Sequence, residues 1–383
     1  MDKKLFPLAP ASLFAKAFQV PKTFPTEGLS FAFEVPEGIR PILYEGENYQ
    51  GRQTKVFAWY GIPNNVKPPY PAIVLVHGGG GTAFTEWVHN WNERGFAAIA
   101  MDLNGALPIV TRENIKAYEP FADGASVDRH NPQDPLEEQW AFHSITAIIR
   151  ANSLLRSLPE IDHEHIGITG ISWGGWLTSL TVGYDQRFCF AVPVYGCGYL
   201  NEGGLTHTVK QLETQPPELQ QKWFDTWNPA ECLVKAQMPL FMVNDCDDKA
   251  YPMTSWIKTF QDAKPLAAFL APAFGHSHEA GDRPEVLRFA RAFCGQATKP
   301  PTFSNFKIDG QTISVDFKGG KPPYSACVFY TTQEYAGSPR EWPSLPAAID
   351  GQHISASLPA GTVFAFVNLS DAEGTVSALD VQC

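Results

Sequence analysis

The stretch GITGISWGGW, residues 167–176, places Ser172 between Gly170 and Gly174 at the end of an apolar run. The run HIGITGIS (165–172) has the pattern of a buried β-strand, and the residues after it are predicted to form a helix. A serine in such a sharp turn has a strained backbone, and only residues without a Cβ atom can pass so close to it. The pattern predicts that Ser172 is a nucleophile at a strand-to-helix turn.

Apolar runs recur on both sides of this turn, at the spacing of strands that alternate with helices. They are PAIVLVH (71–77), GFAAIAMDL (95–103), FAVPVYG (190–196), PLFMVND (239–245) and LAAFLAPAF (266–274). Apolar residues at helical spacing fill LEEQWAFHSITAIIRANSLLRSL (136–158) and EVLRFARAFCG (285–295). This alternation predicts an α/β fold with a doubly wound, mostly parallel sheet, which binds ligands at the carboxyl ends of its strands.

Other segments precede or interrupt this alternation. The alternating segments LSFAFEV (29–35) and TKVFAWYGIP (54–63) predict antiparallel strands, which form an N-terminal β extension at about residues 28–62. Residues 104–135 and 199–237 are longer insertions that follow strand ends. We expect either insertion to be placed where it could cover a ligand pocket.

The character of the sequence changes at QATKPPTF (296–303). Short alternating segments such as KIDGQTISVDF (307–317) then follow one another, separated by Gly, Pro, Asp and Asn turns and without a convincing helix. This pattern predicts an all-β sandwich of immunoglobulin or fibronectin type III character at residues 299–383. The remaining residues, 1–298, are predicted to form the catalytic domain.

A nucleophilic serine needs an imidazole to take its proton and a carboxylate to orient that imidazole. The loop after the strand at 239–245 offers three carboxylates, and the loop after the strand at 266–274 offers two histidines. These candidates are Asp245, Asp247, Asp248, His276 and His278. Both loops follow carboxyl ends of predicted parallel strands, as Ser172 does, so we expect them to meet there. His143 lies on a helix upstream of Ser172, where the chain order is wrong for a base, and is predicted to be a packing or pocket-lining residue.

The glycine-rich stretch VHGGGGT (76–82) follows a buried strand and leaves the backbone bare. Its N–H groups at Gly79 and Gly80, together with that of Trp173, are predicted to hold the oxyanion of a tetrahedral intermediate. The stretch lacks the Lys-Ser/Thr ending of a phosphate-binding P-loop and the GxGxxG spacing of a dinucleotide site. A serine mechanism of this kind needs no metal or organic cofactor, so none is expected.

The composition restricts the class of partner. The 383 residues carry a formal net charge of -11 and no Lys/Arg-rich run, which disfavours nucleic acid or an anionic membrane as a partner. No apolar run reaches the roughly 18 residues of a membrane helix, and the first residues make a poor signal peptide, so a cytoplasmic location is the default expectation. Seven cysteines without paired short spacings indicate neither a disulfide framework nor a zinc site. A homo-oligomer is compatible with the sequence.

Taken together, the motifs resemble the α/β-hydrolase superfamily, and within it the acetyl xylan esterase-like or dienelactone hydrolase-like serine esterases. The resemblance covers most of residues 70–295 and is carried by blocks such as HGGGGTAFTEWV (77–88) and NDCDDKAYP (244–252). It implies that the acid is Asp248, which stands four residues before Pro252. For the base the resemblance is divided, since His276 follows the glycine and His278 precedes the glutamate of GHSHE (275–279), and spacing to the closing helix favours His276. True dienelactone hydrolases use a cysteine nucleophile, and this chain has serine.

The resemblance implies a serine carboxylic-ester hydrolase that works through an acyl-enzyme, on short acyl esters of carbohydrates. The tryptophans Trp87, Trp140, Trp173 and Trp176 are expected near the strand ends, where aromatic faces would suit sugar rings. One alternative is a hydrolase-fold scaffold whose C-terminal sandwich binds glycan or protein. Another is a peptidase of the same superfamily, although the chain lacks the β-propeller typical of prolyl oligopeptidase-like enzymes.

Overall fold

The computed structural model of the protein describes residues 7–108, 118–202, 207–334 and 339–379. A nine-stranded sheet forms its centre, in the order β1-β2-β3-β5-β4-β8-β9-β10-β11. These strands are β1 (Thr23–Phe24), β2 (Ile39–Glu45), β3 (Lys55–Gly61), β4 (Tyr70–Val76), β5 (Ala97–Met101), β8 (Ile161–Ile171), β9 (Ala191–Val194), β10 (Phe241–Asp245) and β11 (Ala267–Ala271). From β5 to β11 neighbouring strands run parallel, while β1, β2 and β3 extend the sheet with antiparallel pairings. The α/β class and the mostly parallel sheet are therefore confirmed.

The central strands are buried, and helices pack against them. The helices are α1 (Thr85–Glu93), α2 (Trp140–Leu155), α3 (Trp173–Thr181), α4 (His207–Leu212), α5 (Pro217–Thr226), α6 (Pro229–Lys235), α7 (Met253–Ala263) and α8 (Pro284–Phe293), with 3₁₀ helices at Ala11–Phe18, Leu136–Glu138 and His278–Asp282. In β4, residues 72–76 are inaccessible to solvent, as the unbroken apolar run at 71–77 predicts. Among the described residues, no helix is long and apolar enough to cross a lipid bilayer.

The two insertions have different structures. Within residues 104–135, β6 (Ala106–Pro108) pairs with β7 (Tyr118–Pro120) in a small antiparallel ribbon. Within residues 199–237 lie the short helices α4, α5 and α6, and the indole of Trp227 in this segment donates to the side-chain oxygen of Gln139 at 2.7 Å. This second insertion is therefore tied to the start of α2.

One predicted strand is wrong. Residues 29–35 have no regular secondary structure, although their apolar residues alternate. The ring of Phe31 instead packs at 4.6 Å from that of Trp59 and at 5.7 Å from that of Phe57, both on β3. The alternation reflects side chains that cover a strand already in the sheet rather than a strand that pairs with it. Pro36 then leads into a turn before β2 begins at Ile39.

The C-terminal β region (residues 302–378) consists of two four-stranded antiparallel sheets, β12-β13-β17-β16 and β15-β14-β18-β19. Its strands are β12 (Thr302–Asp309), β13 (Thr312–Lys318), β14 (Ser325–Thr331), β15 (Ser344–Pro346), β16 (Ala348–Asp350), β17 (His353–Ser357), β18 (Phe364–Asp371) and β19 (Gly374–Ala378). Buried residues from both sheets, such as Val315 and Val367, form a separate hydrophobic core between them. The predicted all-β region is thus present, while its immunoglobulin or fibronectin type remains a prediction.

The C-terminal β region packs on the edge of the central sheet beside β11. The backbone N–H of Leu270 donates to the Ser377 hydroxyl at 2.8 Å, and the Asn368 side chain donates to the Leu270 carbonyl at 3.2 Å. Phe366 and Val376 belong to the same hydrophobic core as the central sheet. Side chains of this region therefore satisfy and cover an edge strand that would otherwise expose unpaired backbone groups.

Candidate active site

Ser172 lies in the turn between β8 and α3, as the sequence predicts. Its backbone has φ 57° and ψ −119°, in the left-handed region that is unfavourable for a residue with a side chain. The turn is closely packed, since a Cβ atom at Gly170 would clash with the Gly174 carbonyl, and one at Gly174 would clash with the Val76 carbonyl. The two glycines are required because backbone from neighbouring segments occupies the space of a side chain.

Two hydrogen bonds connect Ser172 through an imidazole to a carboxylate. The Nε2 atom of His276 lies 2.8 Å from the Ser172 hydroxyl oxygen, and its Nδ1 atom lies 2.6 Å from Oδ2 of Asp248. The Asp248 side chain is fully buried, and its Oδ1 accepts from the N–H groups of Ala250 and Tyr251 at 2.7 Å each. His276 is accessible to solvent over 34% of its side chain. The structure thus brings together three of the sequence-predicted residues, from the ends of β8, β10 and β11.

Two tyrosines flank this group. The ring of Tyr195 lies 4.4 Å from that of His276 with an interplanar angle of 26°, and its hydroxyl donates to the Gly275 carbonyl at 2.5 Å. Tyr251 also lines the cavity beside Ser172, and its ring is nearly parallel to that of His276 at 6.1 Å. Burial raises the pKa of both phenols above the usual value near 10. Both hydroxyls therefore remain protonated at neutral pH.

The other candidate acids have different partners. Oδ2 of Asp245 accepts from the N–H groups of Phe274 and Gly275 at 2.8 and 2.9 Å, so this carboxylate holds the loop that carries His276. Asp247 points to the C-terminal β region, where it pairs with Arg340. Both side chains lie in the loop that carries Asp248, and neither of them has a hydrogen bond to His276 among those that the structure describes.

The other candidate base, His278, begins the 3₁₀ helix His278–Asp282 and packs beneath the glycine-rich stretch. Its ring meets that of Phe84 edge-on at 5.0 Å, and its Nε2 atom lies so close to Gly81 that a Cβ atom there would be crowded. His143, the upstream histidine, lies on α2 with its ring 5.4 Å from that of Tyr49, in a packing position as predicted. Of these three histidines, the structure joins His276 to Ser172.

The glycine-rich stretch lies beside Ser172 and is held by polar side chains. Arg129 donates to the Gly79 carbonyl at 2.7 Å, and Asn104 donates from its side chain to the Gly81 carbonyl at 2.8 Å. Arg129 also donates to the side-chain oxygen of Asn104. Sequence reasoning missed this pair, because a single Arg and a single Asn in an irregular insertion carry no pattern that distinguishes them from solvated side chains.

A cavity of about 360 Å³ opens at Ser172. It is lined by Gly79, Gly80, Arg129, Ser172, Trp173, Ala250 and Tyr251. The cavity is therefore bounded by the three residues that were predicted to donate backbone N–H groups to an oxyanion, and by the nucleophile candidate itself. It has the position, at the carboxyl ends of the parallel strands, that ligand sites of such sheets occupy.

The expected role of the tryptophans as sugar platforms is not supported by their burial. Trp87, Trp140 and Trp176 are each at most 2% exposed, so their faces are covered by protein. Trp173, at 9% exposure, lines the cavity and meets Trp140 and Trp176 edge-on. Of the four, Trp173 is the residue that is placed to touch a ligand at Ser172.

Within the described ranges of the chain, no three His, Cys, Asp or Glu side chains are arranged to hold a metal ion. The described cysteines are free thiols, and burial raises the pKa of Cys197 and Cys246. A raised pKa keeps a thiol protonated and therefore unreactive. The polar chemistry at this edge of the sheet is thus concentrated on Ser172, His276 and Asp248.

Comparison with known proteins places this geometry in context. Residues 43–219 match the family model for acetyl xylan esterase (AXE1), a segment that contains Ser172 and ends before Asp248 and His276. An acetyl esterase of Xylanibacter ruminicola is 25% identical over 219 residues, which cover 54% of this chain and 49% of that protein. A probable dipeptidyl-peptidase of Aspergillus clavatus is 23% identical over 158 residues, 40% of this chain and 20% of that protein. The match thus spans about half of the first relative and a fifth of the second.

Two solved structures share the fold. The acetyl xylan esterase of a Paenibacillus species has a TM-score of 0.55 at 16% identity and covers 76% of this chain and 96% of its own. Acetyl xylan esterase 1 of a Thermoanaerobacterium species has a TM-score of 0.57 at 13% identity and covers 75% of this chain and 95% of its own. Together with the family match, they confirm the resemblance inferred from the motifs: part of the chain is similar to the acetyl xylan esterases, and the chain shares the fold of these two structures.

Proposed function

We propose that the protein is a serine carboxylic-ester hydrolase that acts through an acyl-enzyme on short acyl esters, chiefly acetyl esters of carbohydrates. The observation that carries this proposal is the hydrogen-bonded series Ser172, His276, Asp248, with distances of 2.8 and 2.6 Å. Both distances are within the reach that proton transfer and imidazole orientation require.

In the acylation step, the Ser172 oxygen bonds to the ester carbonyl carbon and its proton passes to Nε2 of His276. Asp248 accepts a hydrogen bond from Nδ1, which fixes the tautomer and stabilises the imidazolium. The carbonyl oxygen becomes an oxyanion, which we expect the N–H groups of Gly79, Gly80 and Trp173 to hold. The intermediate then breaks its bond to the alcohol oxygen, which takes the proton from His276.

Deacylation repeats the sequence with water as the nucleophile. Water gives its proton to His276 and bonds to the acyl carbon, and the collapse of the second intermediate returns the proton to Ser172 and releases the carboxylic acid. Every group required for both steps is a side chain or backbone group of this chain.

The substrate class is supported by the relatives and by the size of the cavity. The named relatives include an acetyl esterase and acetyl xylan esterases. The cavity of about 360 Å³ is at the small end of the range for small-molecule sites, which suits a short acyl group better than a long chain. An acetyl ester of a sugar meets both conditions.

The test measures hydrolysis of aryl esters of increasing acyl length, acetylated xylo-oligosaccharides and peptide p-nitroanilides. We expect acetyl esters to be cleaved fastest, and Ser172→Ala to lower kcat by about 10⁴-fold or more. Ser157→Ala, at an exposed position just after α2, is the matched control and should keep the parent rate.

Labelling of Ser172 by a fluorophosphonate, located by mass spectrometry, identifies the nucleophile independently of the substrate. Equal hydrolysis by Ser172→Ala and the parent would contradict the proposal. Cleavage of the p-nitroanilides without cleavage of any ester would favour a peptidase. Glycan binding by the whole chain, with no turnover and no labelling, would favour a scaffold.

A further inference from the structure

The C-terminal β region contacts the loop that carries Asp248. We call residues 245–251, from the last residue of β10 towards the start of α7, the acid loop. Arg340, in the connection between β14 and β15, places its Nε atom 3.1 Å from Oδ1 of Asp247 and donates to the Cys246 carbonyl at 2.8 Å. The indole N–H of Trp342 donates to Oδ2 of Asp247 at 2.8 Å. Two side chains of the C-terminal β region thus form hydrogen bonds with Cys246 and Asp247, two successive residues of the acid loop.

This contact is largely shielded from solvent. The side chain of Arg340 is 7% exposed and that of Asp247 is 16% exposed, so solvent screens their attraction much less than at a surface ion pair. The guanidinium lies 4.7 Å from the Trp342 ring. That ring in turn packs edge-on against Phe364 and Phe366 of β18 at 6.0 and 5.9 Å, and Phe366 belongs to the main hydrophobic core.

The acid loop carries Asp248 and also contacts the loop that carries His276. Asp247 precedes Asp248, whose carboxylate contacts His276 at 2.6 Å. The N–H of Asp247 donates to Oδ1 of Asp245, and Oδ2 of Asp245 holds the N–H groups just before His276. A displacement of Asp247 would therefore shift Asp248, its neighbour in the chain. It would also shift His276, because Asp245 connects Asp247 to the loop that carries His276.

Resting on the serine-hydrolase function proposed above, we propose that Arg340 and Trp342 are positioning residues for catalysis. Through Asp247 they hold the acid loop in the geometry that Asp248 needs to orient His276. The C-terminal β region is then a working part of the catalytic apparatus, and not an appended spacer or a separate binding module.

The test compares Arg340→Gln, Trp342→Phe and Asp247→Asn with the parent protein. Each variant removes hydrogen bonds to or from Asp247 and keeps most of the side-chain volume. We expect kcat for an acetyl ester to fall about 10- to 100-fold while KM changes by less than about 3-fold, because substrate contacts are unaltered and the base is misplaced. Arg340→Lys, which keeps the charge and loses the fork of donors, should recover part of the loss.

The matched control is Lys321→Gln. Lys321 is an exposed cation of the same β region, paired with Glu373, and it has no contact with the acid loop among the described residues. It should keep the parent kcat. The combined variant Asp247→Asn/Arg340→Gln should lose less than the product of the two single losses, because both act on one interaction.

Thermal unfolding of each variant separates positioning from loss of fold. If Arg340→Gln and Trp342→Phe are folded and keep kcat within 2-fold of the parent, the positioning role is wrong. If their loss follows the unfolded fraction, with normal kcat per folded molecule, the role is structural and the proposal is again overturned.

Hydrogen exchange distinguishes failure of this inference from failure of the proposed function. In the full-length protein, Arg340→Gln should speed amide exchange in residues 245–251, and Lys321→Gln should leave it unchanged. Unchanged exchange in the acid loop would overturn the inference even if the protein is an active esterase. A parent protein with no turnover and no fluorophosphonate labelling would overturn the proposed function, and faster loop exchange would still show that Arg340 holds the loop.

Discussion

At the scale of single residues, polar side chains hold the backbone groups that are proposed to bind the oxyanion. The trans peptide bond fixes the N–H of Gly80 relative to the carbonyl of Gly79, so the hydrogen bond from Arg129 to that carbonyl also fixes the direction of the N–H. The Asn104 side chain donates to the Gly81 carbonyl, and the backbone N–H of Asn104 donates to the Asp102 carboxylate. Donors that are already oriented need no reorganisation in the transition state.

We therefore expect Arg129→Met to lower kcat for acetyl esters by about 10- to 100-fold. This loss is smaller than the roughly 100- to 1000-fold loss in kcat that follows removal of a whole oxyanion donor. Affinity for an arylboronic acid, which mimics the tetrahedral intermediate, should fall in parallel. The measurement is steady-state kinetics together with inhibition constants. Arg52→Met, which removes an arginine from a peripheral loop, is the control. A variant at Arg129 with unchanged kcat and boronate affinity would show that the loop holds its shape without the guanidinium.

The acid loop shows which residue roles the sequence could predict. Spacing to Pro252 and the resemblance favoured Asp248, and the structure joins that residue to His276. The roles of Asp245 and Asp247 were not predictable, because their partners come from distant parts of the chain, such as Gly275 and Arg340. Three carboxylates with one local pattern differ only through contacts that the fold creates.

At the scale of elements, α2 shows why some segments were predicted correctly and others were not. Its sixteen residues carry a sustained apolar pattern, and the helix is buried at fifteen of these positions. Residues 29–35 alternate just as clearly and yet form no strand, because their phenylalanines pack on Trp59. A long helical pattern has few competing explanations, whereas a short alternation is equally consistent with a covering loop.

The residue of α2 that is not fully buried, His143, gives a prediction about pH. Burial lowers its pKa from 6.5 to about 4, so between these values the folded protein binds fewer protons than the unfolded chain. The free energy of unfolding must then decrease as the pH falls from 6.5 towards 4, by at most about 3 kcal/mol from this group. His143→Gln removes this contribution.

We expect the melting temperature of His143→Gln to decrease less than that of the parent between pH 7.5 and pH 4.5. Burial lowers the pKa of His77 as well, so part of the pH dependence should remain in the variant. Thermal unfolding at several pH values measures the difference, with His89→Gln, on the exposed side of α1, as the control for removal of an imidazole. Parallel curves for His143→Gln and the parent would contradict the prediction.

At the scale of the whole molecule, the central sheet and the C-terminal β region share core residues and hydrogen bonds as well as a covalent connection. The composition change near residue 296 lies shortly before β12, the first strand of the C-terminal β region, which begins at Thr302. The sequence could not indicate that Phe366 and Val376 of that region join the main core, or that Ser377 would satisfy the backbone of Leu270. Inward-facing residues of a sandwich and residues that face a neighbouring domain have the same alternation, so only the assembled structure separates them.

A buried ion pair allows this shared interface to be tested. Arg288 on α8 and Asp371 at the end of β18 lie 2.6 Å apart, with side chains 4% and 0% exposed. Arg288→Met would leave the carboxylate buried without this partner, which typically costs about 3–5 kcal/mol, although N–H groups such as that of Lys321 still donate to it. Arg288→Met/Asp371→Asn, which removes both charges, should recover part of that loss. Lys299→Met removes an exposed cation shortly before β12 and should cost less than about 1 kcal/mol.

Urea denaturation, followed by two spectroscopic probes, then shows whether the central sheet and the C-terminal β region unfold cooperatively. If the central sheet and the C-terminal β region are one folding unit, tryptophan fluorescence and far-UV circular dichroism should report a single transition, displaced to lower urea as a whole in Arg288→Met. Two separate transitions would show that the parts unfold independently. In that case residues 302–378 would unfold first in Arg288→Met, and the urea midpoint of the central sheet would stay at the parent value. A single displaced transition would mean that the edge strand β11, and with it the loop that carries His276, depends on β19 for its stability.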